Sequence, residues 1–91
     1  MIVRIATEAQ YRLADDQMPR LQELDAAVIS AAESGDPASF ERRFAELLAC
    51  VRGGELLDDT DLAPSDAILP PPDVSLEEAT RELSDEGLIP S

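Results

Sequence analysis

The 91-residue sequence predicts a mainly α fold: a small three-helix domain with a short N-terminal β-hairpin and a Pro-rich extended connection before the last helix. Three observations carry this reading. Phe40, Phe44, Leu47, Leu48 and Val51 recur at helical spacing and fall within an arc of about 100°. Glu33-Ser34-Gly35-Asp36-Pro37 is a compact helix–turn–helix connection, in which Gly ends one helix and Asp-Pro starts the next. Ser75-Leu76-Glu77-Glu78 is a capping-box pattern that follows a triple proline.

Ile2-Val3-Arg4-Ile5 and Gln10-Tyr11-Arg12-Leu13 read as the two arms of a hairpin over 2–13. Tyr11 and Leu13 are expected on one face, Gln10 and Arg12 on the other. Two strands alone are marginal, so a third is needed, and Ile68-Leu69 is a short extended candidate. The first helix is expected over 16–34, with Asp16 as cap because Pro19 is tolerated only in the first turn. Leu21, Leu24, Val28, Ala31 and Ala32 form its apolar face. Asp25 projects near that face. It is expected as a solvated flank residue, the alternative being a pairing with Arg12 or Arg43.

The second helix spans 37–52, capped by Asp36 and closed by Gly53-Gly54, with glycine suited to a left-handed C-terminal residue. It holds both phenylalanines of a chain with no Trp and one Tyr, so the core is expected around it. Residues 55–74 read as an extended acidic and Pro-rich connection, with Leu56, Leu57 and Leu62 touching the core. Asp58, Asp59 and Asp61 begin like a calcium loop. A register starting at Asp59, however, puts Ala63 and Pro64 where the fifth ligand and the glycine belong, so a solvated acidic loop is expected. Pro70-Pro71-Pro72 reads as a rigid spacer; no basic residue flanks it as an SH3-type ligand would need. The third helix runs over 76–86, with Leu76, Ala79 and Leu83 inward, and Leu88-Ile89-Pro90 can fold back as an apolar clasp. The whole chain, 1–91, is read as one domain.

Charge narrows the function. Twenty acidic residues against seven Arg, with no Lys or His, give −13. Residues 1–54 hold nine acids and six Arg, whereas 55–91 hold eleven acids and only Arg81. Such a field repels nucleic acid and anionic lipid and favours a basic protein surface. Without His, no ordinary Ser-His-Asp or Cys-His arrangement is possible, and one Cys leaves too few zinc ligands. Gly53-Gly54 precedes Glu55, which repels phosphate. Cys50, beside Glu46 and off the apolar stripe, reads as a partly buried structural thiol. The residues therefore predict no enzyme: no catalytic, cofactor-binding or metal-ligating residue is expected. No apolar run is long enough to insert in a membrane and no export signal is legible, so the cytoplasm is the expected compartment.

Pro64-Ser65-Asp66, Ile68-Leu69-Pro70-Pro71-Pro72-Asp73, Ser75-Leu76-Glu77-Glu78 and Asp85-Glu86-Gly87-Leu88-Ile89-Pro90 resemble the C-terminal half of the PspA-associated protein family PspAA. Met1 to Ile5 and Gln10 to Leu13 resemble its start, and the helical middle matches in length and pattern. The resemblance spans essentially the whole chain. One departure concerns the hairpin turn: the family tends to place glycines around the Glu before Gln-Tyr-Arg, where this chain has Thr7 and Ala9. The resemblance implies a small non-enzymatic protein encoded beside PspA, the membrane-remodelling coiled-coil protein of the phage-shock envelope-stress response. It implies an adaptor or modulator that binds PspA and is recruited through it to the inner face of the membrane. No catalytic residues carry over.

Docking is expected through Tyr11 and Arg12 as a more apolar anchor and through Glu77, Glu78 and Glu82 on the acidic face that steers association. The alternative is a self-associating structural module, a homodimer through the hairpin edge or helix pair, or a regulatory module acting on another basic protein.

Overall fold

The computed structural model describes residues 1–57 and 64–82. Its largest packed unit is a pair of antiparallel helices, α1 (Met18–Ser34) and α2 (Pro37–Arg52), joined by Gly35 and Asp36. Both ends of this short connection are set by local chemistry. Gly35 takes the left-handed conformation (φ 73°) and its N–H donates to the Ala32 carbonyl. Asp36 Oδ1 accepts from the Ala38 N–H at 3.1 Å, which satisfies one of the free donors of α2. The α2 stripe is buried as its spacing predicts: Phe40, Phe44, Leu47, Leu48 and Val51 are all core. The two Phe rings stack at 5.5 Å between centroids.

The start of α1 corrects the expected cap. Asp15–Gln17 form a short 3-10 turn, and α1 begins at Met18 with Pro19 in its first turn. Asp16 does not cap the helix. The Gln17 side chain instead reaches back to accept from the Ala14 N–H at 3.1 Å. Asp25 is a second correction. It is only 4% exposed, among Leu21, Leu24 and Val28 on the buried face of α1.

The expected mainly α fold becomes a mixed one, because the hairpin is half of a four-stranded sheet. The strands are β1 (Ile2–Ile5), β2 (Gln10–Arg12), β3 (Glu55–Leu56) and β4 (Ala67–Leu69), in the order β3-β2-β1-β4. β1 pairs antiparallel with β2 and parallel with β4, and β2 pairs antiparallel with β3. The register puts Val3, Ile5, Tyr11, Leu56, Ala67 and Leu69 on one face; Val3, Ile5, Ala67 and Leu69 are buried there against the helices, Tyr11 is half-buried, and Leu56 on the edge strand is exposed. Ile68-Leu69 thus supply the strand the hairpin lacked, while Glu55-Leu56 add one that composition concealed.

Residues 55–74 are not one extended connection. Strands occupy 55–56 and 67–69, and the proline run bends: the Val74 N–H donates to the Pro71 carbonyl at 3.0 Å, which closes a turn rather than extending a spacer. The turn aims α3 (Leu76–Glu82) at both α1 and α2, with Ala79 buried and Leu76 half-buried against the core. Ser75 Oγ accepts from the Glu78 N–H at 3.2 Å, the cap its sequence predicts. The acidic loop with Asp58, Asp59, Asp61 and Leu62, the end of the third helix with Leu83, and the Leu88-Ile89-Pro90 clasp lie outside the described residues.

Two backbone positions hold the layers together. Gly53 is right-handed (φ −76°), not left-handed as expected. Its neighbour Gly54 is the position where only glycine fits. A Cβ there would stand 2.7 Å from the Arg12 carbonyl oxygen and 2.5 Å from Leu13 Cδ2, so the end of α2 lies directly on the end of β2. Thr7 has φ 66° in the Ile5–Glu8 turn, closed by the Glu8 N–H donating to the Ile5 carbonyl at 2.9 Å. This third residue of the turn needs a positive φ, which glycine adopts without cost. Thr7 is thus a β-branched residue at the one turn position whose geometry favours glycine.

Candidate protein-docking surface

The sheet has two unlike faces. The inner face is core. The register places Ile2, Arg4, Gln10, Arg12, Glu55 and Ile68 on the outer face, where no helix among the described residues packs. Alternation along β1 and β2 dictates this: Val3 and Ile5 point in, so Ile2 and Arg4 point out, and Arg12 follows through its pairing with Ile2. Gln10 is buried although it belongs to this face, with Ser65 Oγ donating to its Oε1. Asp66 ties the same loop to the start of β1, its Oδ2 accepting from the Ile2 N–H at 2.8 Å. Ser65 and Asp66 therefore sit over Gln10 and the start of β1, while Arg4 and Ile68, register partners, remain exposed.

Arg12 lies on this outer face and pairs with Glu55 across the β2–β3 ladder at 3.3 Å. Tyr11 does not stand beside it. It points inward and is half-buried against the core, paired in register with Val3 and Leu56. The two hairpin residues expected to form one anchor thus serve opposite faces. Glu77 and Glu78 are exposed on α3, where Glu77 accepts from Arg81 at 3.1 Å one turn on. The side chain of Glu82 lies outside the described residues.

A second polar cluster fastens the hairpin tip to α2. Arg52 donates to Glu8 through Nε at 3.2 Å and through Nη2 at 2.5 Å. These hydrogen bonds raise the Arg52 pKa above its ordinary value; partial burial lowers it, and the charges of Glu8 and Tyr11 add smaller increases. The pair is accessible on both sides, so its stabilisation is modest, up to about 1 kcal/mol. Beside Arg52 a cavity of about 180 Å³ is lined by Phe40, Phe44, Leu48, Pro72 and Val74, with Glu41 at its rim. Small-molecule sites are roughly 300–1,000 Å³, so this space is a packing gap under the Pro72 turn. Cys50, the single cysteine of the chain, is half-buried against the core.

Sequence reasoning found Arg12, Glu77 and Glu78 as exposed charges. It missed the juxtaposition of Arg4 and Ile68. Ile68-Leu69 carried an extended signal, but nothing local specifies a parallel register with β1, 64 residues away.

No helix among the described residues is long and apolar enough to cross a membrane. A protein-family model described as PspAA, PspA-Associated protein, matches residues 1–91, the whole chain. No curated protein and no solved structure matches the chain.

Proposed function

The chain belongs to the PspAA family of PspA-associated proteins, and on that premise we propose that it is a non-enzymatic adaptor or modulator that binds PspA in the envelope-stress response. The single observation behind this is the family match over all 91 residues. Charge supports a role in docking rather than chemistry. Most of the −13 is carried by residues 55–91, and the described acids of α3 are exposed. Such a skin attracts a basic surface over about a Debye length and orients the encounter. Recruitment to the inner face of the membrane then follows from PspA, not from this chain.

Purified PspA offered to the immobilised chain is the direct test. Binding is expected at about 50 mM salt and a marked loss at about 500 mM, where charge steering is screened. Failure to retain PspA at low salt overturns the reading. Retention that ignores salt removes the electrostatic part of it. Light scattering on the chain alone addresses self-association: a stable dimer supports the structural alternative.

A further inference from the structure

We propose that the outer face of the sheet, centred on Ile68 and Arg4, is the docking surface, and that the partner meets it with a carboxylate set beside an apolar side chain. The proposal rests on the reading of the chain as a protein-binding adaptor and names the surface and the chemistry it recognises.

Arg12, Arg20, Arg43, Arg52 and Arg81 each lie within 3.7 Å of a carboxylate of the chain itself. Arg4 and Arg42 have no such partner among the described residues, in a chain with twenty acids for seven cations. Arg42 projects from the solvated face of α2 beside Glu41, in ordinary helix-surface surroundings. Arg4 is different, because its register partner is Ile68, 63% exposed. Only Leu56 and Ile68 are large apolar side chains left this exposed among the described residues. A guanidinium with no acid of its own, next to an uncovered isoleucine, is half of a recognition motif. Arg presents a planar fork of donors that suits a carboxylate, and the apolar neighbour excludes water from the pair.

A second copy is a poor occupant. Each copy brings −13, and the sheet edges are blunted against pairing: β3 has two residues, and β4 runs directly into Pro70-Pro71. A foreign surface resolves both requirements of the charge. It is basic overall, which answers the acidic skin of residues 55–91. It carries a local carboxylate flanked by apolar side chains, which answers Arg4 and Ile68. The outer-face residues Ile2 and the Arg12–Glu55 pair form the rim.

A photocrosslinking phenylalanine analogue at position 68 of the full chain, and separately at position 77, tests this in the native cell, with the captured peptide mapped by mass spectrometry. We expect capture from position 68 by a peptide holding a carboxylate next to apolar residues. Capture should fall about tenfold with Arg4→Glu, and less with Arg4→Gln, which keeps a polar hydrogen-bonding side chain and removes the charge. Unchanged far-UV circular dichroism separates this loss from misfolding. A captured peptide from PspA supports both the surface and the family-based reading. A peptide of the same chemistry from another protein supports the surface and overturns the PspA reading. Absence of capture at 68, capture of a second copy alone, capture only from 77, or indifference to both Arg4 variants overturns the surface.

Discussion

The helical pair and the sheet share one core but are assembled by opposite means. α1 and α2 have 17 and 16 residues, each making its backbone hydrogen bonds with near neighbours. Their ends are set by Gly35 and Asp36 within the same short stretch. The sheet has strands of four, three, two and three residues drawn from before and after the helical pair. Two of its three ladders join residues more than 40 positions apart, as in Arg12 to Glu55 and Val3 to Ala67, and only the β1–β2 hairpin is local. None of these strands is long enough to persist alone. The comparison teaches that here the helices carry the architecture, and the sheet exists because the helices offer it an apolar wall.

The sharpest way to break that comparison is to empty the shared core from each side. Phe40→Ala, which removes a fully buried ring stacked on Phe44, is expected to cost about 3–5 kcal/mol in urea unfolding. Ile5→Ala, on the sheet side of the same cluster, should cost about 2–4 kcal/mol. Tyr11, the single tyrosine, reports the sheet by fluorescence, while ellipticity at 222 nm reports the helices. Both variants should lose the two signals together. A tyrosine transition well separated from the helical one would show that the sheet is an independent unit.

Gly54→Ala probes the seam between the layers. Crowding against the Arg12 carbonyl should cost about 2 kcal/mol, visible as a lower denaturation midpoint. Asp36→Ala touches the helices alone and should cost about 1 kcal/mol, because the Ala38 N–H loses its acceptor. Thr7→Gly runs in the opposite direction. It relieves a β-branched residue at φ 66° and should raise stability by up to about 1 kcal/mol, read as a higher Tm. A loss of stability in that variant would mean that the Thr7 side chain contributes more than its backbone costs.

These residues also mark what could be read before the fold was seen. The α2 stripe, the Asp36 cap, the Gly35 stop and the Ser75 cap were legible because each is a contact between residues one to four apart. The face of Arg12 was legible from alternation, and the exposure of Glu77 and Glu78 from their place in the first turn of a capped helix. The burial of Asp25 is not legible, because periodicity places a side chain near a face without saying how far neighbouring elements close over it. Gln10 was missed for a similar reason: its burial depends on Ser65, which arrives from 55 residues away. The triple proline reads as straight, whereas the hydrogen bond from Val74 to Pro71 closes a turn at its end.

The sequence alone determined the two long helices, their turn, the residues they bury, the excess of negative charge and the family to which the chain belongs. It could do so because those properties are local or additive along the chain. Only the tertiary structure decided that the hairpin becomes the centre of a four-stranded sheet, that Glu55-Leu56 is a strand, and that Arg4 and Ile68 stand together on an open face. Strand pairing is a choice among distant segments, and its outcome is set by which of them the helical wall can cover at once.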